Sequence, residues 1–351
     1  MPSDNDKLHQ FMGKMLDDMG AAMGAALVYV GDRLGLYKAM AGSAQISSGE
    51  LARRTATDER YVREWLAAQA AAGYVDYDPG TNCYALSPEQ ELVFAVEGSP
   101  VFVPGAFELL MAVFNDAEKI IESFKSGRGV GWHEHDPRLF SGTERFFRPA
   151  YAAHLVDEWI PALEGVLEKL ERGATVADVG CGRGASTILL AKAFPKSQFV
   201  GFDYHQPSLE RAAQAAAEAK VTNVRFERAA AKEYPGSNYD LVAFFDCLHD
   251  MGDPVGASAH VLSSLAADGT WMIVEPFAHD TVKENLNPIG RMFYGASTMV
   301  CTPASKAQEV GLALGTQAGE KRIGEVVTAG GFKRFRRATE TPFNLIFEAR
   351  P

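Results

Sequence analysis

Between residues 178 and 184 the chain reads Asp-Val-Gly-Cys-Gly-Arg-Gly, after the β-like Val176-Ala177 and before Ala185-Ser186-Thr187-Ile188-Leu189-Leu190, which starts a helix. Glycines at a strand-to-helix turn let a ligand approach the backbone, and the helix start offers N–H groups to an anion. Asp203 ends the next β-like run about 20 residues further on, where a carboxylate accepts hydrogen bonds from two ribose hydroxyls. The turn therefore calls for a nucleoside cofactor. Which one stays open at this point, because Gly180, Gly182 and Ala185 also satisfy the G-x-G-x-x-A form of dinucleotide sites.

The surrounding texture extends this reading. Val176–Val179, Phe199–Phe202, Val224–Phe226, Leu241–Phe245 and Trp271–Val274 alternate with helical stretches, which predicts a parallel, doubly wound α/β sheet. The runs Phe332–Arg337 and Asn344–Glu348 are joined by a short link around Pro342, too short for a parallel crossover, so they form an antiparallel pair.

The N-terminal part differs. Met12, Met15, Leu16, Met19, Met23 and Leu27 fall on one face of a long helix. Ser47 and Glu50 form a capping box, Thr57-Asp58 opens a second short helix that stops at Gly73, and two β-runs flank Asp78-Pro79-Gly80-Thr81-Asn82. Helix, helix, hairpin is a winged-helix pattern. Residues 1–98 are thus expected to form a mostly helical winged-helix and dimerisation domain, 99–171 a helical connector, and 172–351 the sheet domain with an insertion over 278–318.

A formal charge of −11 disfavours general affinity for nucleic acid or an anionic bilayer. The short helices set Arg53, Arg54, Arg60 and Arg63 against Glu50, Asp58, Glu59 and Glu64, which argues against the competing reading, a DNA-binding regulator. Cys83, Cys181, Cys247 and Cys301 have neither disulfide-framework nor zinc-knuckle spacing, and neither a signal segment nor a membrane span is apparent, so a cytoplasmic protein is expected.

The Gly180-x-Gly182-x-Gly184 turn preceded by Asp178 resembles motif I of the class I S-adenosylmethionine-dependent methyltransferases. With the sheet beginning mid-chain and ending in an antiparallel pair, this weighs against the rival nicotinamide-dependent oxidoreductase. Winged helix, connector and sheet domain together are similar to the small-molecule O-methyltransferases of secondary metabolism. Phe245–Pro254 and Thr341–Leu345 look like an actinobacterial methyltransferase group of uncertain substrate. The resemblance implies a Rossmann-like seven-stranded sheet, dimerisation through the N-terminal part, and S-adenosylmethionine as cofactor. The expected cofactor set is Asp178, Gly180, Cys181, Gly182, Gly184, Asp203, Tyr204, Asp246 and Cys247, with Ala230 and Ala231 near the adenine in a loop that lacks the family's usual acidic residue.

His249 aligns with the histidine that serves as base in the plant-type enzymes, although Met251 replaces their tryptophan. It either takes the proton of an acceptor hydroxyl or braces its loop. Asp250, Arg291, Tyr294 and Ser297 are the expected substrate contacts, with Asn287 a further candidate in the 278–318 insertion, expected to act as a lid. His133-Glu134-His135-Asp136 lacks a distant partner for a metal, and no metal is expected. The expected activity is methyl transfer from S-adenosylmethionine to an oxygen of a small molecule by in-line displacement.

Overall fold

The structure, a computed structural model, describes residues 4–351; Met1–Ser3 of the expected N-terminal domain lie outside the described residues. The described residues form two compact units, one of residues 4–112 and 141–149, the other of 113–140 and 150–351.

In the first unit, helix Ser48–Thr55 is capped by Ser47, whose hydroxyl accepts the Glu50 N–H at 3.2 Å. The reciprocal half of the expected capping box is absent, because the Glu50 carboxylate is drawn to Arg53 and Arg54 instead. Asp58 caps helix Glu59–Ala71, and the strands β1 (Asp76–Asp78) and β2 (Cys83–Ala85) pair antiparallel, Asp76 opposite Ala85. The core gathers Tyr37, Met40, Leu51, Val62, Trp65, Leu66 and Phe94. Helix Asp4–Arg33 docks through its C-terminal third: Val28 is fully buried and the Trp65 indole N–H donates to the Leu27 carbonyl at 2.9 Å. Further up, Phe11, Met12, Leu16, Met19 and Met23 are each more than half exposed.

The second unit contains β3 (Thr175–Val179), β4 (Gln198–Asp203), β5 (Val224–Arg228), β6 (Tyr239–Phe245), β7 (Leu265–Pro276), β8 (Arg334–Glu340) and β9 (Asn344–Arg350). They form the expected seven-stranded sheet in the order β5-β4-β3-β6-β7-β9-β8, parallel except for antiparallel β7–β9 and β9–β8 pairings. Val179, Phe202, Val242, Phe244, Trp271, Ile273 and Phe347 are almost wholly buried, as strands covered on both faces require. The last pair begins later than its apolar run suggests: Phe332 is buried ahead of β8, which runs on to Glu340. The chain switches direction across the sheet between β3 and β6, and a crevice outside the C-terminal ends of these strands is where such sheets take ligands. All four cysteines are free. Among the described residues, no helix is long and apolar enough to cross a membrane.

Candidate active site

The turn after β3 is held by the neighbouring strand end. The N–H groups of Gly180 and Cys181 both donate to the Phe202 carbonyl, at 2.8 and 3.0 Å, and the Gly182 N–H donates to Asp203 Oδ2 at 2.9 Å. Gly180, Gly182 and Gly184 have φ of 76°, 52° and 77°, the left-handed region that side chains resist. A Cβ on Gly180 would lie 2.8 Å from Cys247 Sγ and one on Gly184 2.8 Å from Phe226, whereas the space beside Gly182 is open. So the outer two glycines serve close packing, and the middle one leaves room. The turn thereby brings Cys181, Asp203 and Cys247 together.

Asp178 braces the helix that follows. Its Oδ2 accepts the hydroxyls of Ser186 and Thr187 at 2.7 and 2.6 Å, while its Oδ1 is buried with no hydrogen-bond partner. Burial outweighs those two bonds and pushes its carboxyl up to about 6. Asp203 also accepts the His205 N–H at 2.8 Å, and burial again raises its carboxyl above the ordinary range. Two rings flank this strand end: Phe140, at the start of helix Arg138–His154, stacks on His205 at 4.4 Å, and His133 meets the exposed Tyr204 edge-on. The His135 ring is paired with buried Asp116 at 2.8 Å. The Ala229 N–H donates to the Asp203 carbonyl, which ties the loop bearing Ala230 and Ala231 to the end of β4.

Beyond β6 a second polar group assembles. Asp246, at φ 50°, accepts the Tyr151 hydroxyl at 2.7 Å and the Asn344 amide at 2.9 Å. Burial, helped by the charges of Glu275 and Asp250, pushes its carboxyl up to about 8. The next residues fold into a tight turn, Leu248–Asp250, against Glu275 at the end of β7. Glu275 accepts the Leu248 N–H at 3.1 Å and lies 2.5 Å from His249 Nδ1; His249 Nε2 lies 3.3 Å from Asp250 Oδ1. Both His249 and Glu275 are buried. Burial works against the imidazolium, but the charges of Glu275 and Asp250 prevail and hold the ring well above the usual histidine range.

The insertion contributes unevenly. Asn287 is consumed as the N-cap of helix Pro288–Ala296, accepting the Gly290 N–H at 2.8 Å. Arg291 is exposed, Tyr294 half-buried, and Ser297 buried beside Thr302 and Gly315. The insertion residue that reaches the His249 cluster is Cys301, whose sulfur lies within 4.8 Å of a His249 ring nitrogen and an Asp250 carboxylate oxygen. Sequence reasoning missed Glu275, Tyr151 and Cys301. A carboxylate directly after the apolar run Trp271–Val274, at the ligand-facing end of a strand, was a usable signal for Glu275.

Residues 170–330 match the methyltransferase domain family, and residues 21–95 match the Rv2258c-like winged HTH domain. The chain thus carries a methyltransferase domain with a winged helix-turn-helix domain before it. A solved O-methyltransferase family protein from Burkholderia thailandensis shares this fold at a TM-score of 0.70 and 16% identity, covering 97% of this chain and 98% of that one. Human N-acetylserotonin methyltransferase, solved with S-adenosylmethionine, does so at 0.69 and 14%, covering 100% and 99%. A tRNA (guanine-N(7)-)-methyltransferase of Shewanella frigidimarina is 31% identical over 119 residues, 34% of this chain. The chain spans about half (48%) of the length of that relative.

The residues present fit S-adenosylmethionine. Gly182 leaves open space beside the helix start, and the Asp203 carboxylate, steadied by two backbone N–H groups, keeps lone pairs for two hydroxyls.

Proposed function

We propose that the protein transfers a methyl group from S-adenosylmethionine to an oxygen of a small-molecule acceptor, with His249 as general base. The contact between Glu275 and His249 Nδ1 at 2.5 Å carries this reading. With Nδ1–H donating to that carboxylate, Nε2 is the nitrogen left to accept a proton. S-adenosylmethionine, when bound, supplies an electrophilic methyl group on a good leaving group. The protein's part is alignment, exclusion of water and removal of the acceptor's proton. The turn of Asp178, Gly180, Cys181, Gly182 and Gly184, with Asp203, Tyr204, Ala230, Ala231, Asp246 and Cys247, is the proposed cofactor surface. Asp250, Tyr294, Ser297 and Arg291 are the proposed acceptor side, beneath residues 278–318.

The proposed assembly is a cytoplasmic homodimer. The exposed apolar stripe from Phe11 to Met23 supports it, since a second copy would cover a face that the chain leaves open. Light scattering on the intact chain should report a dimer, and removal of the first 23 residues should yield a monomer; a monomeric intact chain overturns this. A DNA-binding role is disfavoured, because Arg53, Arg54, Arg60 and Arg63 are each paired with a glutamate of their own helices. Phenols and alcohols screened by release of S-adenosylhomocysteine test the main proposal. Turnover on nitrogen or carbon acceptors alone would overturn it.

A further inference from the structure

His249 and two side chains beside it, Asp250 and Cys301, are unlike a simple acid–base pair. A ring nitrogen of His249, a carboxylate oxygen of Asp250 and the Cys301 sulfur lie within 4.8 Å of one another. His249 and Cys301 are buried, and Asp250 Oδ1 is sealed from solvent with no hydrogen-bond partner closer than the 3.3 Å approach of His249 Nε2. Cys301 arrives on a π-helical turn, Ser297–Cys301, between helices Pro288–Ala296 and Thr302–Lys306. Such turns break the α-helical register and recur at functional sites. The far nitrogen of the ring is held by Glu275 at 2.5 Å, the carboxylate–histidine arrangement that orients imidazoles toward metals.

We propose that His249, Asp250 and Cys301 form a zinc site. The donor set of one nitrogen, one oxygen and one sulfur suits zinc and is poorly matched to magnesium or calcium, which take oxygen ligands. Tetrahedral ligand bonds of about 2.0–2.3 Å set the ligand atoms about 3.3–3.8 Å apart, a spacing that His249 Nε2 and Asp250 Oδ1 already meet at 3.3 Å, so any approach on binding falls to the Cys301 sulfur. On binding, the Cys301 thiol proton and any proton on Nε2 pass to solvent, and the fourth position is left for water. Zinc there occupies the lone pair that would accept the acceptor's proton, so the ion inhibits methyl transfer; this consequence rests on the function proposed above, whereas binding does not.

The test is cobalt(II) titration of the reduced, full-length chain without cofactor or acceptor. One cobalt per chain is expected, with a near-ultraviolet thiolate-to-cobalt band and tetrahedral visible bands, all erased by added zinc. Cys301→Ser should abolish the near-ultraviolet band and Cys83→Ser should keep it. Glu275→Gln should keep the band and weaken affinity about 10–100-fold. Absence of the thiolate band, or its persistence in folded Cys301→Ser, overturns the proposal. Should Cys301→Ser fail to fold, Asp250→Asn decides: a loss of tenfold or more in cobalt affinity supports the site, and an unchanged affinity overturns it. Because the spectrum needs no turnover, its outcome is separate from that of the acceptor screen.

Discussion

Carboxylates on the winged-helix unit and carboxylates at the ligand-facing edge of the sheet titrate in opposite directions. Glu50 is held below the ordinary range by Arg54 and Arg53, and Glu59 is brought to about 2 by Arg63 and Ser48. Asp178, Asp203, Asp246 and Asp250 are all raised, in each case chiefly by burial. The first three of these are steadied by hydroxyls, an amide and backbone N–H groups rather than by guanidinium groups. Surface acids that neutralise neighbouring arginines are complete within the chain. Buried acids gathered at the strand ends would be balanced by a ligand that brings hydroxyls and positive charge, as the proposed cofactor does.

The largest test of that contrast is His249→Ala, which should lower turnover about 10²–10⁴-fold while cofactor affinity stays nearly constant in calorimetry. Because the ring's affinity for protons is raised in the folded protein, turnover should climb as pH rises through and beyond neutrality. Glu275→Gln should move that limb toward lower pH; a flat profile would break the base assignment. Asp203→Ala comes next, with S-adenosylmethionine binding weakened by about 1–3 kcal/mol, roughly five- to 150-fold. Preferential binding of NAD in the same calorimeter would instead overturn the cofactor.

Smaller effects separate the two kinds of glycine. Gly184→Ala combines left-handed strain with a clash against Phe226 and should cost about 1–3 kcal/mol in denaturant unfolding. Gly182→Ala should cost about 1 kcal/mol, from strain alone, yet weaken cofactor binding more than its neighbour does. Asp246 should show in the pH dependence of stability. Its proton is kept in the folded state up to about 8 and released from the unfolded chain near 3.8, so deprotonation favours unfolding. Stability should therefore decline from about pH 4 to about pH 8, and Asp246→Asn should flatten that slope. The smallest change expected is at Glu59, where Glu59→Gln should leave the melting temperature essentially unmoved, as exposed pairs do.

The sheet and the winged helix were legible because each depends on local pattern. Strands buried on both faces must be apolar throughout, as Leu241–Phe245 and Trp271–Val274 are, and the glycine turn states its own backbone requirement. What escaped were contacts made only by folding. Tyr151 meets Asp246 across 95 positions of sequence, and Glu275 reaches His249 because β6 and β7 pair with Phe245 opposite Val274. The spacing of Arg291, Tyr294 and Ser297 does suggest one helix face, but that face turns from solvent at Arg291 to the interior at Ser297. A π turn carries no periodic signature at all, so Cys301 had none to offer.

The turn that bears His249 is also an anchorage. Ser305 donates to the Met251 carbonyl, Gln308 bonds the Asp250 carbonyl and the Gly252 N–H, Leu312 donates to the Gly252 carbonyl, and Gly315 reaches the carbonyl of His249 itself. Residues 305–315 are therefore stitched to the peptide units on either side of the proposed base. Any motion that lifts these residues would therefore also break the bonds that hold that turn.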